Sequence, residues 1–553
     1  MDKAASPFGG SFLLAAPAAT FTPEQFNEQQ QLIAATAEQF AQQEIAPATE
    51  AIEGQDFALA RRLLRQAGEL GLTGVDVPEA YGGQGMDFTA SAIVADHLAV
   101  QGSFSVIFGA HAGIATLPLV HFGNEEQKRK YLPRLASSEW VGAYALSEAG
   151  SGSDALALRT EAVAADGGYR LNGEKMWISN AGFADLFTLF AKVDGKVTAF
   201  LVERTTPGVA TGAEEHKMGI LGSSTCPVLL RDAAVAAANV LGGVGEGAHI
   251  AFQILDVGRF KLGAACIGGA RNCLREAVHY ARERRAFGKT IGEFGLVRRL
   301  LAEMGMRLFA AESMVYRTVA LMDGGTELGE FAVECSIIKI FASEMADVVV
   351  DHAVQIYGGN GFVRGNPAER AYRDARVNRI FEGTNEINRL LIPATLLRRA
   401  QQGKLALLQA VEAVTAGLLT PAPAAPALAP AEAARQTALL VAGLSFQRHG
   451  EALAEQQQLL GAIADLATAA YALQSAALRA PEGVYTRLLQ ATLLDEVEVT
   501  ARRALAALSQ GDALRTQLAW LRRLLKRDPV DVYALELQAA ERLLDDGGYR
   551  NPK

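Results

Sequence analysis

The chain has 553 residues, of which half are hydrophobic and a fifth are charged, and its formal net charge is −9. At about 150 residues per domain this length predicts three or four domains, and the composition is that of an ordinary globular protein. The sequence shows no basic stripe or face of the kind that binds nucleic acid, which argues against that class of function.

No pair of the four cysteines has CxxC spacing, so zinc-binding and thioredoxin-like sites are not expected, and we expect no metal site. Cys266 and Cys335 lie among apolar helical positions and are expected to be small core residues. The charges of Asp2 and Lys3 cancel before the apolar N-terminal stretch, and no stretch approaches about 18 uninterrupted apolar residues. We therefore expect neither a signal peptide nor a transmembrane helix, and a cytoplasmic setting.

Residues 1–21 are treated as an N-terminal segment, and residues 22–139 are predicted to form a helical domain. The order Thr22-Pro23-Glu24-Gln25 indicates a helix start, because a capping Thr precedes a Pro and an acid. The Gly-rich stretch 77–85 predicts a break between helices.

Residues 140–242 change to a β pattern. Positions 169–179 predict a strand, a turn at Asn172-Gly173 and a second strand. Two apolar runs on either side of Asp194-Gly195 predict another pair of strands. We therefore expect a β domain between helical blocks.

Helical periodicity returns over residues 243–400, where apolar residues recur at spacings of three and four along several long segments. Such helices pack as an antiparallel bundle. Residues 401–431 are predicted to be a Pro/Ala linker, because repeated Pro after residue 417 interrupts a helix and favours extended chain. Residues 432–553 are again rich in Ala and Leu and predict an extra helical domain.

Two segments suggest ligand contacts, although each also has a structural interpretation. Residues 144–154 follow a strand with Gly and Ser, which offer free N–H groups and hydroxyls to a flavin or a phosphate, or simply form a polar loop. The Arg-rich residues 282–289 end a helix, where they either complement the helix dipole or clamp a pyrophosphate.

Two later segments leave the same choice open. Residues 356–362 contain three glycines, which suit a helix C-cap or a close approach of the backbone to a ligand. In residues 376–387, Glu382 follows an apolar pair and Thr384 is placed to cap a new helix. Taken alone, Glu382 could equally be a solvated turn carboxylate.

Together these segments, in this order and at these separations, resemble the acyl-CoA dehydrogenase family over about residues 22–400. The resemblance implies a mostly α fold with a central β domain: an N-terminal helical domain, a middle β-sheet domain, a C-terminal four-helix bundle and here an extra C-terminal helical domain. Because of the linker and the appendage, the chain is most similar to the very-long-chain acyl-CoA dehydrogenase branch. The resemblance is carried by Leu146–Asp154, Trp177–Asn180, Arg284–Lys289, Gly358–Phe362 and Ile380–Ile387.

The resemblance implies FAD as the cofactor. It places Tyr144 to Ser147 beside the flavin ring, with Ser147 near the reactive nitrogen, and Thr384 and Asn385 at the pyrophosphate, where a helix N-terminus attracts anions. It also implies a homodimer in which Arg284, Phe287 and the Gln355 to Gly359 stretch reach FAD from the neighbouring subunit. The implied FAD contacts are Tyr144, Leu146, Ser147, Gly152, Ser153, Trp177, Ile178, Ser179, Arg284, Phe287, Gln355, Gly358, Gly359, Thr384, Asn385 and Glu386.

For the substrate, an acyl-CoA, the resemblance implies contacts with Ser153, Asp256, Arg259, Phe381 and Gly383. Arg259 has independent support, because it lies on the apolar stripe of a helix and a charged residue on a buried face needs a partner. An Arg–acid pair of purely structural role would also satisfy it.

The same resemblance makes Glu382 the base that removes the α proton of the acyl thioester. A free Glu has a pKa of about 4.3, and burial raises the pKa toward the range of about 6–7 used by catalytic carboxylates. Ile380 and Phe381 suggest such an apolar setting. By resemblance, the backbone N–H of Glu382 and a ribityl hydroxyl of FAD hold the thioester oxygen as enolate charge develops. Some relatives place the base just before Arg259, where this chain has Gly258, which cannot serve.

The resemblance thus implies α,β-dehydrogenation of fatty acyl-CoA to trans-2-enoyl-CoA in fatty acid β-oxidation, with an electron-transferring flavoprotein as the electron acceptor. An acyl-CoA oxidase that uses oxygen and a non-catalytic assembly protein of the same fold remain alternatives. In the very-long-chain branch, a basic amphipathic stretch that follows the core lies on the membrane. This chain has the Pro/Ala linker at that place, so strong membrane association is not expected. Residues Ser103, Phe104, Ser105 and Phe108 are expected near the base of the acyl pocket, so medium to long chains are plausible.

Overall fold

The structure, a computed structural model, describes residues 8–324, 327–420 and 427–550. Two compact units are formed. The sheet unit comprises Phe26–Gly269 and Arg370–Glu382, and the bundle unit comprises Met1–Gln25, Ala270–Glu369 and Gly383–Lys553.

The sheet unit begins with short helices packed around one apolar core. The first α-helix starts at Glu28 rather than at the predicted Pro23, because the Asn27 side chain and Gln30 form a reciprocal capping box there, while Pro23–Gln25 make a single 3-10 turn. The helices are α1 (Glu28–Phe40), α2 (Thr49–Glu53), α3 (Phe57–Glu69), α4 (Phe88–His97), α5 (Gly102–Phe108), α6 (Leu117–Phe122) and α7 (Glu125–Ala136).

Three of the four residues expected near the acyl-pocket base have core positions within this helical block. Phe104 and Phe108 belong to its apolar cluster. Ser103 is fully buried, and its hydroxyl donates to the Glu53 carboxylate at 2.6 Å. The fourth, Ser105, is half-buried on α5.

Eight strands of the sheet unit form one mixed sheet. Seven of the strands lie side by side in the order β6-β7-β3-β2-β4-β5-β8. The eighth, β1, pairs with β4 in parallel. The apolar core of the sheet includes Phe187, Leu189, Phe200 and Ile178. The strands are β1 (Gly142–Ala145), β2 (Glu161–Ala165), β3 (Gly168–Ser179), β4 (Leu186–Val193), β5 (Lys196–Glu203), β6 (Val209–Thr211), β7 (Thr225–Ala236) and β8 (Val240–Leu241).

Two predicted turns have different outcomes. Asp194-Gly195 joins β4 to β5, and both residues have positive φ (47° and 78°), as a tight hairpin requires. The turn predicted at Asn172-Gly173 is wrong, because β3 continues through it and pairs with both β2 and β7. Gly173 serves a different purpose there: a Cβ at this position would lie 2.5 Å from the Thr160 hydroxyl oxygen.

A long helix, α8 (Gly247–Glu283), begins in the sheet unit and continues into the bundle unit. A small hairpin of β9 (Arg285–Ala286) and β10 (Lys289–Thr290) follows it. The remaining helices of the bundle unit are α9 (Gly295–Met322), α10 (Ala332–Tyr357), α12 (Asn385–Gln401), α13 (Leu407–Leu419), α14 (Pro430–His449), α15 (Gln457–Arg479), α16 (Val484–Leu508), α17 (Gly511–Leu524) and α18 (Val532–Asp546), while α11 (Pro367–Ala375) spans the unit boundary.

The predicted linker 401–431 departs from expectation in its first half. Residues 407–419 form α13, because this stretch, Leu-Leu-Gln-Ala-Val-Glu-Ala-Val-Thr-Ala-Gly-Leu-Leu, contains no Pro. The Pro-rich residues 421–426 lie outside the described residues, and α14 begins with Pro430 at its first position.

The extra C-terminal helices belong to the same compact unit as the bundle, and α9 packs against α10, α15, α16 and α18. A buried charge cluster joins distant parts of the chain at this point. Glu312 of α9, 2% exposed, accepts hydrogen bonds from Arg271, Arg479 and the Tyr549 hydroxyl, each at 2.7 Å. Arg479 also pairs with Glu24 at 2.6 Å.

The N-terminal segment docks on α10 through main-chain donors. The N–H of Gly10 donates to Glu334 at 2.7 Å, and the N–H of Gly9 donates to Glu330 at 3.1 Å. Glu334 is 2% exposed, and burial raises its pKa to about 7, with the Gly10 hydrogen bond opposing that rise.

Among the described residues, two helical stretches, Gly102–Phe122 and Gln457–Arg479, have the length and composition of a membrane span. The protein interior covers 72% and 83% of their most apolar windows. This is weak evidence for a membrane span, because mostly buried core helices pass the same test. Cys266 and Cys335 are buried, which confirms their expected place in the core.

Candidate functional site

The first predicted cofactor segment, residues 144–154, leaves the sheet at the end of β1. Tyr144 is buried and packs against the ring of Phe190, with the ring centres 5.1 Å apart. Its buried hydroxyl has no hydrogen-bond partner among the described residues. Burial, and secondarily the charge of Glu382, raises the pKa of Tyr144 well above 10, so Tyr144 remains a neutral phenol. A buried hydroxyl of this kind is suited to a ligand.

A buried ion pair fixes the start of this loop. Lys175 of β3 is fully buried and donates to the Glu148 carboxylate at 2.7 Å and to the Leu146 carbonyl at 3.1 Å. The same carboxylate accepts the N–H groups of Arg159 and Thr160. Burial lowers the pKa of Lys175 to about 8. The sequence analysis missed both members of this pair.

Beyond that anchor the loop opens to solvent. Ser147 is half-buried, and its carbonyl accepts the Met176 N–H at 2.9 Å. Gly152 and Ser153 are exposed, and a Cβ added at Gly152 would meet no atom within 4 Å. The loop tip therefore presents backbone N–H groups and a hydroxyl to space that a phosphate could occupy.

A β-bulge near the end of β3 changes the direction of the side chains that follow it. The pairing with β7 shifts between Lys175 and Ile178, and Trp177 inside the shift has a φ of 58°. Trp177 is 52% exposed as a result, whereas Ile178 points into the sheet core and Ser179 is half-buried. The predicted role of Ile178 at the flavin is thus limited to its main chain.

Glu382 ends the sheet unit in a left-handed conformation, with a φ of 57°. Its carboxylate lies against α8 at Gly258, where a Cβ would stand 2.4 Å from Oε2. The carbonyl oxygen of Glu382 accepts a hydrogen bond from Arg259 Nε at 3.3 Å. A left-handed non-glycine residue of this kind costs about 1–3 kcal/mol and is typical of functional sites.

Arg259 joins this arrangement to the predicted substrate position Asp256. Both side chains are buried, and Arg259 donates to the Asp256 carboxylate at 2.6 Å. The prediction that Arg259 needs a partner is confirmed, and its partners are the Asp256 carboxylate and the Glu382 carbonyl. Phe381 is half-buried, but Ile380, expected to make an apolar setting, is 52% exposed where it follows the 3-10 turn Arg376–Arg379.

In the bundle unit, Gly383 to Glu386 start α12. Thr384 caps the helix by accepting the Ile387 N–H at 3.2 Å. The Asn385 side chain is buried and bonded within the protein, so its main chain is what remains for a ligand. Glu386 is exposed, and a hydrogen bond from its own N–H lowers the pKa of its carboxyl. A carboxylate repels phosphate, so Glu386 too suits FAD through its N–H.

A fully buried lysine holds this helix start. Lys339 of α10 donates to the Gly383 carbonyl at 2.7 Å and to Asn385 Oδ1 at 2.6 Å. The sequence analysis missed it, although Lys339 follows Cys335 by four residues on the apolar stripe of α10. A charged residue on a buried helix face needs a partner, so the position of Lys339, like that of Arg259, indicates one.

The remaining predicted cofactor residues lie on exposed parts of the bundle unit. Arg284 directly precedes β9, and Phe287 lies in the turn between β9 and β10, where it is 95% exposed with a φ of 51°. Gln355, Gly358 and Gly359 are exposed where α10 ends. The stacked rings of Tyr280 and Tyr357, 4.3 Å apart, join the ends of α8 and α10.

Within each unit the predicted residues offer chemistry consistent with FAD. The sheet unit presents an exposed indole, a buried phenol with no hydrogen-bond partner among the described residues, and an exposed loop tip with backbone N–H groups, which suit the flat ring and polar edge of a flavin. The bundle unit presents a capped helix start suited to an anion. Glu382 adds a carboxylate able to accept a proton.

Comparison with known proteins identifies the family. Models described as the N-terminal, middle and C-terminal domains of acyl-CoA dehydrogenase match residues 27–139, 143–233 and 245–397, and a further C-terminal domain model of the same name matches 433–523. A probable acyl-CoA dehydrogenase of Bacillus subtilis (strain 168) is 42% identical over 568 residues, 96% of each chain.

Two more comparisons agree. The mitochondrial very long-chain specific acyl-CoA dehydrogenase of Homo sapiens is 44% identical over 59% of this chain, which spans about half (51%) of that relative. A crystal structure of an acyl-CoA dehydrogenase complexed with FAD from Bacillus anthracis has a TM-score of 0.95 and 43% identity, covering 98% of this chain and 100% of that one. The predicted fold class is confirmed, and the chain belongs to the acyl-CoA dehydrogenase family.

Proposed function

We propose that this protein is an FAD-dependent dehydrogenase that converts fatty acyl-CoA to trans-2-enoyl-CoA, with Glu382 as the base. The observation that carries the proposal is the placement of the Glu382 carboxylate against the bare backbone of Gly258, with its own carbonyl held by Arg259. A carboxylate fixed in this way can accept a proton from a carbon atom of a bound substrate.

Bound FAD would supply the hydride acceptor for the β carbon, which is chemistry that side chains do not provide. The chain's own residues bind and orient. Tyr144 and Trp177 suit the flavin ring, the Gly152–Ser153 tip suits a phosphate, and Thr384 marks the helix start for the pyrophosphate. Arg259 holds the Glu382 backbone in place while the Glu382 side chain takes the α proton.

The backbone N–H of Glu382 is the proposed donor to the thioester oxygen. Negative charge grows on that oxygen as the α proton leaves, so a fixed N–H stabilises the transition state more than the ground state. Asp256 and Arg259, which neutralise one another, form a buried ion pair beside this position.

The experiment is anaerobic flavin bleaching by acyl-CoA thioesters of increasing chain length. The wild type is expected to bleach, and the length that bleaches fastest defines the substrate class. Glu382→Gln is expected to retain FAD and lose about two to four orders of magnitude in the reduction rate. Glu382→Asp, which keeps a shorter carboxylate, is expected to fall between the two. Bleaching of Glu382→Gln at the wild-type rate by every thioester tried contradicts the assignment.

The proposed electron acceptor is an electron-transferring flavoprotein. In support, a structure described as the electron transferring flavoprotein of Acidaminococcus fermentans contains a chain that matches this one with a TM-score of 0.64 and 36% identity. Mixing the reduced enzyme with air tests it. Slow reoxidation is expected, with peroxide released only at that slow rate, whereas fast reoxidation with equally fast release of peroxide identifies an acyl-CoA oxidase.

The proposal includes a cytoplasmic homodimer in which the hairpin and the end of α10 complete the partner's FAD site. Large apolar side chains there are open to solvent in the single chain: Phe287 is 95%, Phe362 86% and Val363 62% exposed. Exposed apolar surface of this kind marks interaction sites. Sedimentation is expected to show a dimer that Phe287→Ser and Phe362→Ser together weaken, and a monomeric wild type with full activity contradicts it.

A further inference from the structure

A continuous set of hydrogen bonds in the bundle unit leads from the start of α12 to the extra C-terminal helices. It begins at Lys339, whose ammonium holds both the Gly383 carbonyl and Asn385 Oδ1. Gly383 directly follows Glu382 in the chain. Because Lys339 and Asn385 are buried, this end of the network is shielded from water and its hydrogen bonds are strong.

The second step runs through α10 and α12. Asn385 Nδ2 donates to Glu344 Oε1 at 3.0 Å. The same carboxylate is gripped by both terminal nitrogens of Arg389, at 2.7 and 3.0 Å. Arg389 lies one helical turn after Asn385 on α12, so Glu344 ties two successive turns of that helix to α10. A two-pronged Arg–carboxylate pair fixes orientation as well as distance.

The third step enters the extra domain. The remaining side-chain nitrogen of Arg389, Nε, donates to Asp465 Oδ1 of α15 at 2.7 Å. Arg389 is therefore held between two carboxylates on different helices. The four charged members of the network balance, with Lys339 and Arg389 positive and Glu344 and Asp465 negative, so the network as a whole carries no net charge.

We propose that Asp465 is a positioning residue: through Arg389, Glu344 and Asn385, the extra C-terminal helices fix the start of α12, which follows the base. The inference rests on the proposed function. Without the Asp465 carboxylate, the Arg389 guanidinium can rotate about its hydrogen bonds to Glu344. The Asn385 amide donates to the same Glu344 carboxylate, so it moves as well. Motion of Asn385 also displaces the adjacent helix cap Thr384, which is proposed to contact the FAD pyrophosphate.

The test compares Asp465→Asn with a matched control, Glu496→Gln. Glu496 of α16 also pairs with the bundle, but through Arg307 of α9 at 3.3 Å, away from α12. Asp465→Asn is expected to lower the anaerobic flavin-reduction rate and weaken FAD binding by about threefold to thirtyfold, with the KM for acyl-CoA little changed. Glu496→Gln is expected to behave as wild type, and Asp465→Glu is expected to regain part of the loss.

Amide hydrogen exchange provides a reading independent of activity and of overall stability. Exchange over residues 383–389 is expected to quicken in Asp465→Asn and to stay unchanged in Glu496→Gln. The inference is overturned if the two variants match in FAD affinity and in exchange over these residues.

The two proposals fail differently. A wild type that binds FAD but is bleached by no acyl-CoA refutes the proposed function, and FAD affinity and exchange then still decide the role of Asp465. A wild type that bleaches normally, beside an Asp465→Asn variant with unchanged affinity and exchange, refutes the positioning role alone.

Discussion

Replacing Gly258 by Ala tests the placement of the base. The added Cβ would lie 2.4 Å from Glu382 Oε2 and 2.7 Å from Cδ, whereas ordinary contact begins at 3.4 Å. The carboxylate must therefore move by about 1 Å, a displacement that can cost about 10²-fold in rate. The backbone of Glu382 is held by Arg259, so the side chain is the part that yields.

The same change is mild for the fold. A flexible side-chain end moves easily, and Ala in a helix interior is favoured over Gly by about 0.5–1 kcal/mol. We therefore expect Gly258→Ala to keep its melting temperature and its FAD while the anaerobic flavin-reduction rate falls about a hundredfold. Stopped-flow absorbance at saturating acyl-CoA measures that rate.

Gly269→Ala is the matched control, because it lies on the same helix and its Cβ would meet only the Ala99 carbonyl oxygen, at 3.6 Å. It is expected to reduce flavin at the wild-type rate. If Gly258→Ala also does so, the carboxylate does not work from the position described. If both variants lose activity equally, the cause is a general effect on α8.

Three further predictions address stability and cofactor binding. Lys175→Met leaves the Glu148 carboxylate buried without its cation, so we expect a loss of about 3 kcal/mol in denaturant unfolding, and a loss below 1 kcal/mol would contradict the pairing. Because the pKa of Glu334 is raised in the folded state to about 7, its contribution to stability is full below about pH 4.5 and is lost as the pH rises through 7. Comparing melting at pH 5.5 and 8.5, Glu334→Gln should remove about 2 kcal/mol of that pH dependence, and an unchanged profile would refute it. FAD added to the FAD-free protein should quench Trp177 fluorescence, and Trp177→Phe should remove that part of the quenching and weaken FAD binding; equal quenching in both would place Trp177 away from the flavin.

Local sequence rules predicted the fold where local chemistry decides it. Asp194-Gly195 forms the predicted turn because both residues tolerate positive φ. Asn172-Gly173 has the same signature, but pairing of β3 with strands on both sides outweighs it. Helix α13 was not predicted, because the Pro-rich residues that follow it dominate the composition of residues 401–431.

At the site, the motif around Glu382 indicated the proposed base and its neighbours, but not the residues that hold them. Lys339 and Gly383 are 44 residues apart, and Arg389 and Asp465 are 76 apart. Only the packing of helices brings such partners together. The direction of individual side chains could not be predicted from the motifs either. The Asn385 side chain points inward to Lys339, and the Ile178 side chain points into the core of the sheet.

The cluster around Glu312 has a consequence for how the chain is made. Its partners include Arg479 at the end of α15, which also binds Glu24, and Tyr549, which lies 237 residues after Glu312 in the chain. Until Tyr549 has been synthesised and has left the ribosome, Glu312 lacks one of its donors, so the bundle unit reaches its final packing late in synthesis. The sheet unit, complete at residue 382, can mature earlier during synthesis.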